Sequence, residues 1–153
     1  MATPSLVKVV FDLEPSPLHG HSTESVWASL AGTGLFCVEN IPFYVYGIGF
    51  KDIINAEPLN ADTYKFTGVS LRSGHSTYRI FLLEDTARDE YEALQKIIIA
   101  MGCYIEKGTP YISAIDIPAE VDANLVYEFL EKTVIANNDI EFEEAYCGHI
   151  LNE

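Results

Sequence analysis

The chain has 153 residues and a formal net charge of −14, with 23 Asp and Glu residues against 9 Lys and Arg. Its 48% hydrophobic content excludes a largely disordered chain, and no run of about 20 apolar residues offers a membrane-spanning helix. The negative charge repels nucleic acids and anionic membranes, so we expect neither as a partner.

The first part of the chain, residues 1–71, predicts a β-rich lobe with one short helix. Alternating apolar residues predict a strand at Leu6–Leu13, and the Pro- and Gly-containing segment 14–22 predicts a loop. Thr23 is a candidate N-cap for a helix that ends at the Gly32-Thr33-Gly34 turn. Further strands are predicted at Leu35–Val38, Phe43–Tyr46, Lys51–Glu57 and Thr63–Leu71.

The second part, residues 72–153, predicts the element order β-α-β-β-α-β of a ferredoxin-like fold. Its first helix is expected to be capped by Thr86 and to stop at Gly102. Asp122 is expected to cap the second helix, whose inward face begins at Leu125. Its strands are predicted at Ser76–Leu83, Cys103–Glu106, Tyr111–Ile117 and Ile140–Tyr146. The expected fold class is therefore α+β, with a β-rich lobe packed on a ferredoxin-like half.

The segment Gly74–Arg79 holds the most reactive combination of side chains in the sequence. On a strand, His75, Thr77 and Arg79 share one face, where imidazole and guanidinium groups would clamp a phosphate or carboxylate. This face is the candidate small-anion site. The structural alternative is an ion pair between Arg79 and a carboxylate on a neighbouring strand. The candidates for that carboxylate are Asp116, Glu141 and Glu143.

Acidic residues concentrate at the end of the chain. Nine acids and one base, Lys132, lie between Glu120 and Glu153, so this segment carries −8 of the −14. A field of this sign accelerates the encounter with a basic protein. The expected partner-binding residues, called here the acidic set, are Glu128, Glu131, Asp139, Glu141, Glu143 and Glu144. The alternative is a solvated acidic face without a partner.

Histidine and cysteine pairs near the two ends of the sequence would together offer four zinc ligands. These residues are His19, His21, Cys147 and His149. Because their spacings match no finger knuckle, we expect solvated loop and tail residues, with no metal and no other cofactor. The three cysteines are widely spaced and the N-terminal segment lacks a secretory signal, which indicates reduced thiols in a cytoplasmic protein.

Several motifs resemble a bacterial family known as a domain of unknown function. The central ones are Asn40-Ile41-Pro42-Phe43, Gly49-x-x-Asp52 and Ser73-Gly74-His75-Ser76-Thr77-x-Arg79. Further matches are Trp27, Met101-Gly102-Cys103 with Glu106, Ile115-Asp116-Ile117-Pro118 and Glu143-Glu144-Ala145. The resemblance extends from about Val7 to Tyr146 and implies a bacterial protein, with no reaction or cofactor to carry over.

By type, the chain also resembles the acidic immunity proteins that bacteria pair with toxic nucleases. We therefore expect a cytoplasmic, non-enzymatic binding protein, an immunity protein that inhibits a basic toxin or nuclease by occluding its active site. The second hypothesis is a small-anion sensor or enzyme that uses His75 and Arg79. A third class is an oligomerisation module.

Overall fold

The computed structural model describes residues 5–16 and 19–149. The first five strands are β1 (Leu6–Asp12), β2 (Thr23–Gly32), β3 (Leu35–Val38), β4 (Ile53–Asn60) and β5 (Thr63–Leu71). They close into a barrel in chain order. Neighbouring strands are antiparallel, except that β1 and β5 close the barrel as a parallel pair.

Alternate residues of the barrel strands fill its interior, since successive strand side chains point to opposite faces. The resulting core contains Val9, Phe11, Val26, Ala28, Phe36, Val38, Ile54 and Ala56 from the strands, together with Ile48 from the segment between β3 and β4. Aromatic rings pack around it, with the ring centroids of Phe11 and Phe66 4.5 Å apart. The predicted strand Thr63–Leu71 is confirmed with the same bounds as β5.

The helix predicted from Thr23 is wrong, because this segment forms strand β2. Glu24, Val26 and Ala28 are buried while the residues between them are exposed, which is the period of a strand. Trp27 and Leu30, which would lie on the same face as Val26 in a helix, are exposed. Backbone pairing with β1 on one side and β3 on the other overrides the local helical pattern.

A second correction concerns Phe43–Tyr46, which was predicted as a strand and lies instead in a loop. This segment belongs to the connection between β3 and β4, residues 39–52, called here the β3–β4 loop. The buried Glu24 carboxylate accepts hydrogen bonds from three consecutive backbone amides of the loop, at 2.6, 2.9 and 2.8 Å. Those amides are therefore bound to a side chain and are not available to a sheet partner.

The second sheet contains β6 (Ser76–Leu82), β7 (Tyr104–Lys107), β8 (Ile112–Ile117) and β9 (Ile140–Tyr146). Its strand order is β7-β8-β6-β9, and every neighbouring pair is antiparallel. Helix α1 (Arg88–Ala100) follows β6 after a short 3₁₀ turn at Asp85–Ala87, and α2 (Ala123–Ala136) follows β8. The fold class is therefore mixed α+β, as predicted.

Both helices pack against the second sheet in one core. That core includes Tyr78, Ile80, Tyr91, Leu94, Ile98, Ile115, Ile117, Val126, Leu130 and Ile140. Asp122 caps α2 as predicted, by accepting from the amides of Asn124 and Leu125. Leu125 itself is 55% exposed, so the prediction that it faces inward is wrong. The Thr86 side chain caps no helix, because Glu84 and Ala87 occupy the N-cap positions.

The β3–β4 loop joins the barrel to the face of the second sheet that the helices leave open. Gly47 donates to the Ala145 carbonyl of β9 (3.0 Å), and Thr77 of β6 donates to the Ile48 carbonyl (2.9 Å). Thr77 alternates along β6 with Tyr78, whose side chain lies in the helix-side core. No helix within residues 5–16 and 19–149 is long and apolar enough to cross a membrane.

Candidate functional site

A cleft of about 590 Å³ opens between the β3–β4 loop and one end of the second sheet. The loop contributes Glu39, Phe50 and Lys51, while β7 contributes Tyr104 and Glu106. His75, which immediately precedes β6, and Asp116 of β8 also line the cleft, and they are the two ionisable residues that matter most for its chemistry. The cleft therefore combines apolar surface with a small number of ionisable groups, which is the usual composition of a ligand site.

His75 and Asp116 form a close pair in this cleft. His75 Nδ1 lies 2.7 Å from Asp116 Oδ1, and the two side chains are 18% and 0% exposed. Burial raises the pKa of Asp116, and the hydrogen bond from His75 opposes this shift without cancelling it. The second carboxylate oxygen, Oδ2, is buried and has no hydrogen-bond partner in the described part of the chain.

This pairing determines which histidine nitrogen is free to react. When Asp116 is ionised it accepts the proton on His75 Nδ1, so Nε2 carries the lone pair. Among the described residues no hydrogen bond occupies Nε2. A histidine oriented by a carboxylate in this way can accept a proton from a bound molecule or return one to it.

The backbone around His75 is held by the motifs that precede it. Ser73 Oγ accepts from the His75 amide at 3.2 Å, and Asp52 accepts from the Ser73 amide at 2.9 Å. Two glycines approach the His75 carbonyl so closely that side chains would collide with it. A Cβ at Gly49 would lie 3.1 Å from that oxygen, and one at Gly148 would overlap it. These contacts fix the position from which the imidazole enters the cleft.

Glu106 places a second carboxyl group in the cleft wall. It accepts from the Ile41 amide at 3.2 Å, a contact that joins β7 to the β3–β4 loop. Burial raises the pKa of Glu106, and the charge of Asp116 acts in the same direction. Protonated Glu106 would therefore be a proton donor in the same cleft as the His75 base.

Lys51 and Glu39 form an ion pair at the mouth of the cleft. Lys51 Nζ lies 2.8 and 2.7 Å from the two Glu39 carboxylate oxygens, and 5.2 Å from the centroid of the Phe50 ring. Lys51 has a φ of 68°, which few residues other than glycine adopt. Non-glycine residues in this conformation are often found at functional sites.

The comparisons with known proteins place the chain in an uncharacterised family. The model of a domain of unknown function, DUF4265, matches residues 24–139. The chain belongs to the DUF4265 family. This finding confirms the resemblance to an uncharacterised family. No curated protein matches the chain.

One solved structure described as a "hypothetical protein from Neisseria gonorrhoeae" is similar to this DUF4265 protein. The alignment covers 97% of this chain and 98% of that chain, with a TM-score of 0.75 and 20% sequence identity. At this identity the similarity concerns the fold alone.

The predicted anion-site residues of this DUF4265 protein do not act together. Thr77 and Arg79 lie on one strand face, as predicted, but Arg79 is 1% exposed. All three of its side-chain nitrogens donate to protein oxygens. The acceptors are Glu143 Oε1 at 3.0 Å, the Pro42 carbonyl at 3.4 Å and the Val45 carbonyl. Arg79 therefore pairs with a neighbouring strand, which was the structural alternative, and His75 alone of the three lines the cleft.

The acidic set is divided between two faces of the second sheet. Glu128 and Glu131 are exposed on α2, and Glu144 is exposed while accepting from the Tyr78 hydroxyl on the helix side. Glu141 and Glu143 point to the opposite side, because the side chains of β9 alternate. Asp139 lies half-buried in the turn before β9. Glu143 is already bound to Arg79 and to the Tyr46 hydroxyl.

The expectation of a solvated tail is wrong for His149. Its Nε2 lies 2.8 Å from the Pro118 carbonyl, so Nε2 carries a proton and Nδ1 accepts from Ser76 Oγ at 2.6 Å. At the other end of the chain, His19 and His21 each pack 4.8 Å from the Tyr44 ring. Within the described residues no group of three or more His, Cys, Asp or Glu side chains could hold a metal ion.

Sequence reasoning missed four of the residues that make the cleft, namely Glu39, Phe50, Lys51 and Glu106. Asp116 was considered as a partner for Arg79 and as part of a family motif, and not as a partner of His75. One signal for Asp116 was present, because an acid flanked by Ile115 and Ile117 in a buried strand needs an unusual partner. Glu106 belongs to a family motif, but neither it nor the other three residues carries a local signal for the cleft, since their roles depend on contacts distant in sequence.

Proposed function

We propose that this DUF4265 protein binds a small molecule in the cleft and that His75 exchanges a proton with it there. The observation that carries the proposal is the His75–Asp116 pair, with its fully buried carboxylate, in the wall of a 590 Å³ cleft. Burying a carboxylate that has only one hydrogen-bond donor among the described residues costs free energy, so a contribution to stability does not explain the pair. Perturbed ionisable groups of this kind cluster at functional sites.

The chemistry that the cleft favours is general acid–base catalysis. His75 would act as the base through Nε2, and Glu106 would supply an acid from the same wall. A thiol nucleophile is disfavoured, because burial raises the pKa of Cys103 to about 12 and that of Cys37 to about 11. Proton transfer on a bound molecule is therefore the reaction class that these residues support best.

The test is a fragment screen by NMR on the full chain, with variants that separate the cleft from the rest of the surface. We expect a subset of fragments to shift the His75 imidazole resonances, and to lose affinity at least tenfold in His75→Gln. The matched control is His21→Gln, which changes an exposed histidine outside the cleft. If fragments bind equally well to the wild type and to His75→Gln, the proposal fails.

A second proposal is that the acidic surface docks a basic protein in the cytoplasm, in the manner of an immunity protein. The support for it is that Glu128 and Glu131 of α2 are exposed, and that Glu144 is exposed on the same side of the sheet. The charge reversals Glu128→Lys and Glu131→Lys should slow association with a basic nuclease domain and weaken its salt dependence. Reversal of Glu141 on the opposite face is the control; equal effects would contradict a helix-side surface.

We also propose that residues 72–153 be classified as a ferredoxin-like lobe, and residues 1–71 as a separate β-barrel lobe. The support is the element order β-α-β-β-α-β, together with the position of β6 between β8 and β9. Hydrogen exchange would test the division, because two lobes should show two distinct sets of protection factors.

A further inference from the structure

The charges around the cleft exclude an anionic ligand. Four carboxyl groups line it, from Glu39, Glu106, Asp116 and Glu120, against one ammonium, from Lys51. With Glu106 protonated, as its proposed role as the acid requires, three carboxylates still face that one ammonium. Lys51 neutralises Glu39 directly. The cleft therefore keeps an excess of negative charge on a chain that is already at −14, and a ligand of the same sign would be repelled.

A second, independent observation concerns hydrogen-bond donors. Asp116 Oδ2 is a buried carboxylate oxygen in the cleft wall that no donor reaches within the described residues. Buried polar atoms are nearly always paired in native proteins, and an exception calls for an explanation. Oδ2 itself has almost no exposed surface, so Asp116 acts on a ligand in the cleft through its negative charge, which favours a ligand that carries N–H groups.

The ammonium group of Lys51 shows how the mouth of the cleft binds a cation. Lys51 Nζ is held between the Glu39 carboxylate and the face of Phe50, the combination with which proteins bind ammonium groups. The Phe50 ring in turn meets His75 edge-on, with the centroids 5.8 Å apart. An ammonium in the place of Lys51 would therefore lie against the same ring that His75 contacts.

We infer that the cleft takes an organic cation, namely an amine attached to an apolar body, and that Lys51 occupies its ammonium position until it binds. The apolar body would lie along Ile41 and Ile105, which also line the cleft. This inference rests on the proposed function, because it names the ligand class for the same cleft.

The test compares three probes of the same shape and different charge: 2-phenylethylamine, 2-phenylethanol and 3-phenylpropionate. Each is titrated into the isotope-labelled full chain, and the amide and side-chain resonances of Phe50, His75 and Glu106 are followed. The amine should bind at least tenfold more tightly than the alcohol, and the propionate should not bind. Equal or tighter binding of the alcohol or propionate, or no amine shift at these residues, overturns the inference.

Variants then distinguish this inference from the proposed function. Glu106→Gln and Glu120→Gln should each weaken amine binding, whereas Lys51→Met should strengthen it by removing the internal competitor. The matched control is Lys107→Met, an exposed lysine outside the cleft. If His75→Gln abolishes binding while the acid variants and Lys51→Met leave it unchanged, the cleft is a ligand site but cation selection is wrong.

Discussion

Buried carboxylates on the two sides of the β3–β4 loop differ in how completely their oxygens are hydrogen-bonded. On the barrel side, Glu24 accepts from three loop amides. Asp52 accepts from the amides of Gly49 and Ser73 and from Arg72 Nη1. On the cleft side, Asp116 has one hydrogen-bond partner among residues 5–16 and 19–149, His75, and its second oxygen has none there. Fully paired carboxylates hold a loop in place, whereas an incompletely paired one leaves capacity for a ligand.

The positively charged side chains on the two sides of the β3–β4 loop also differ in their surroundings. The Arg79 guanidinium joins the paired network, since it bonds the loop carbonyls and lies 5.1 Å from the Tyr46 ring centroid. It is a structural cation, enclosed by the loop that it holds. Lys51 is an exposed cation at the mouth of the cleft, paired with Glu39 at 2.7 Å. Arg79 is therefore enclosed by the contacts that it makes, whereas Lys51 remains partly exposed to the cleft.

Of the changes considered, removal of the Arg79 guanidinium should cause the largest loss in the free energy of unfolding. Arg79→Met leaves two loop carbonyls without donors and removes the cationic partner of Glu143, so we expect a loss of about 3–5 kcal/mol in unfolding free energy. Urea denaturation followed by tryptophan fluorescence measures it. Lys107→Met, at an exposed position, should change the unfolding free energy by less than about 0.5 kcal/mol. A folded Arg79→Met protein of wild-type stability would contradict the structural role.

The second prediction tests whether the loop depends on the Glu24 carboxylate. Glu24→Gln keeps the side-chain length but offers one acceptor oxygen to three amides, which should cost about 1–3 kcal/mol. The same denaturation assay applies, and hydrogen exchange should show faster exchange at Phe43 to Val45. Glu57→Gln, an exposed acid on β4, is the control. Unchanged protection of those amides would show that the loop is held by other contacts.

The third prediction concerns the incompletely paired side. Asp116→Asn removes a charge that burial already disfavours, so we expect a stability change below about 1 kcal/mol at neutral pH. Its effect should appear instead at His75, because the neutral amide no longer fixes the proton on Nδ1. Nitrogen chemical shifts of the imidazole report the tautomer directly. A loss of stability as large as that of Glu24→Gln would place Asp116 among the structural carboxylates.

The features that could be predicted from the sequence depend on neighbouring residues, and the features that were missed depend on contacts between residues distant in sequence. Strand β9 and the Asp122 cap were predicted because their signals are local: alternation in the first case and a side chain two residues from its amide in the second. Strand β2 was mistaken for a helix, since its ladders with β1 and β3 lie outside any local window. The cleft depends on longer separations still, because His75 and Asp116 are 41 residues apart.

The smallest effect we predict is a dependence of stability on pH. It distinguishes the carboxyl groups on the cleft side of the β3–β4 loop from those on the barrel side. Burial raises the folded-state pKa of both Asp116 and Glu106 above their ordinary values. In the window between the ordinary and the raised pKa, the folded chain binds more protons than the unfolded chain, so stability rises as the pH falls. The melting temperature of the wild type should therefore increase as the pH falls through this window toward the ordinary carboxyl pKa.

The double variant Asp116→Asn and Glu106→Gln removes both groups and should flatten that rise. Glu24→Gln is the control, since it alters a carboxylate on the paired side and should leave the slope in this window unchanged. Differential scanning calorimetry at closely spaced pH values measures the slope. If the double variant keeps the wild-type slope, the protons are taken up elsewhere, and the distinction between an architectural and a functional set of carboxylates loses its thermodynamic support.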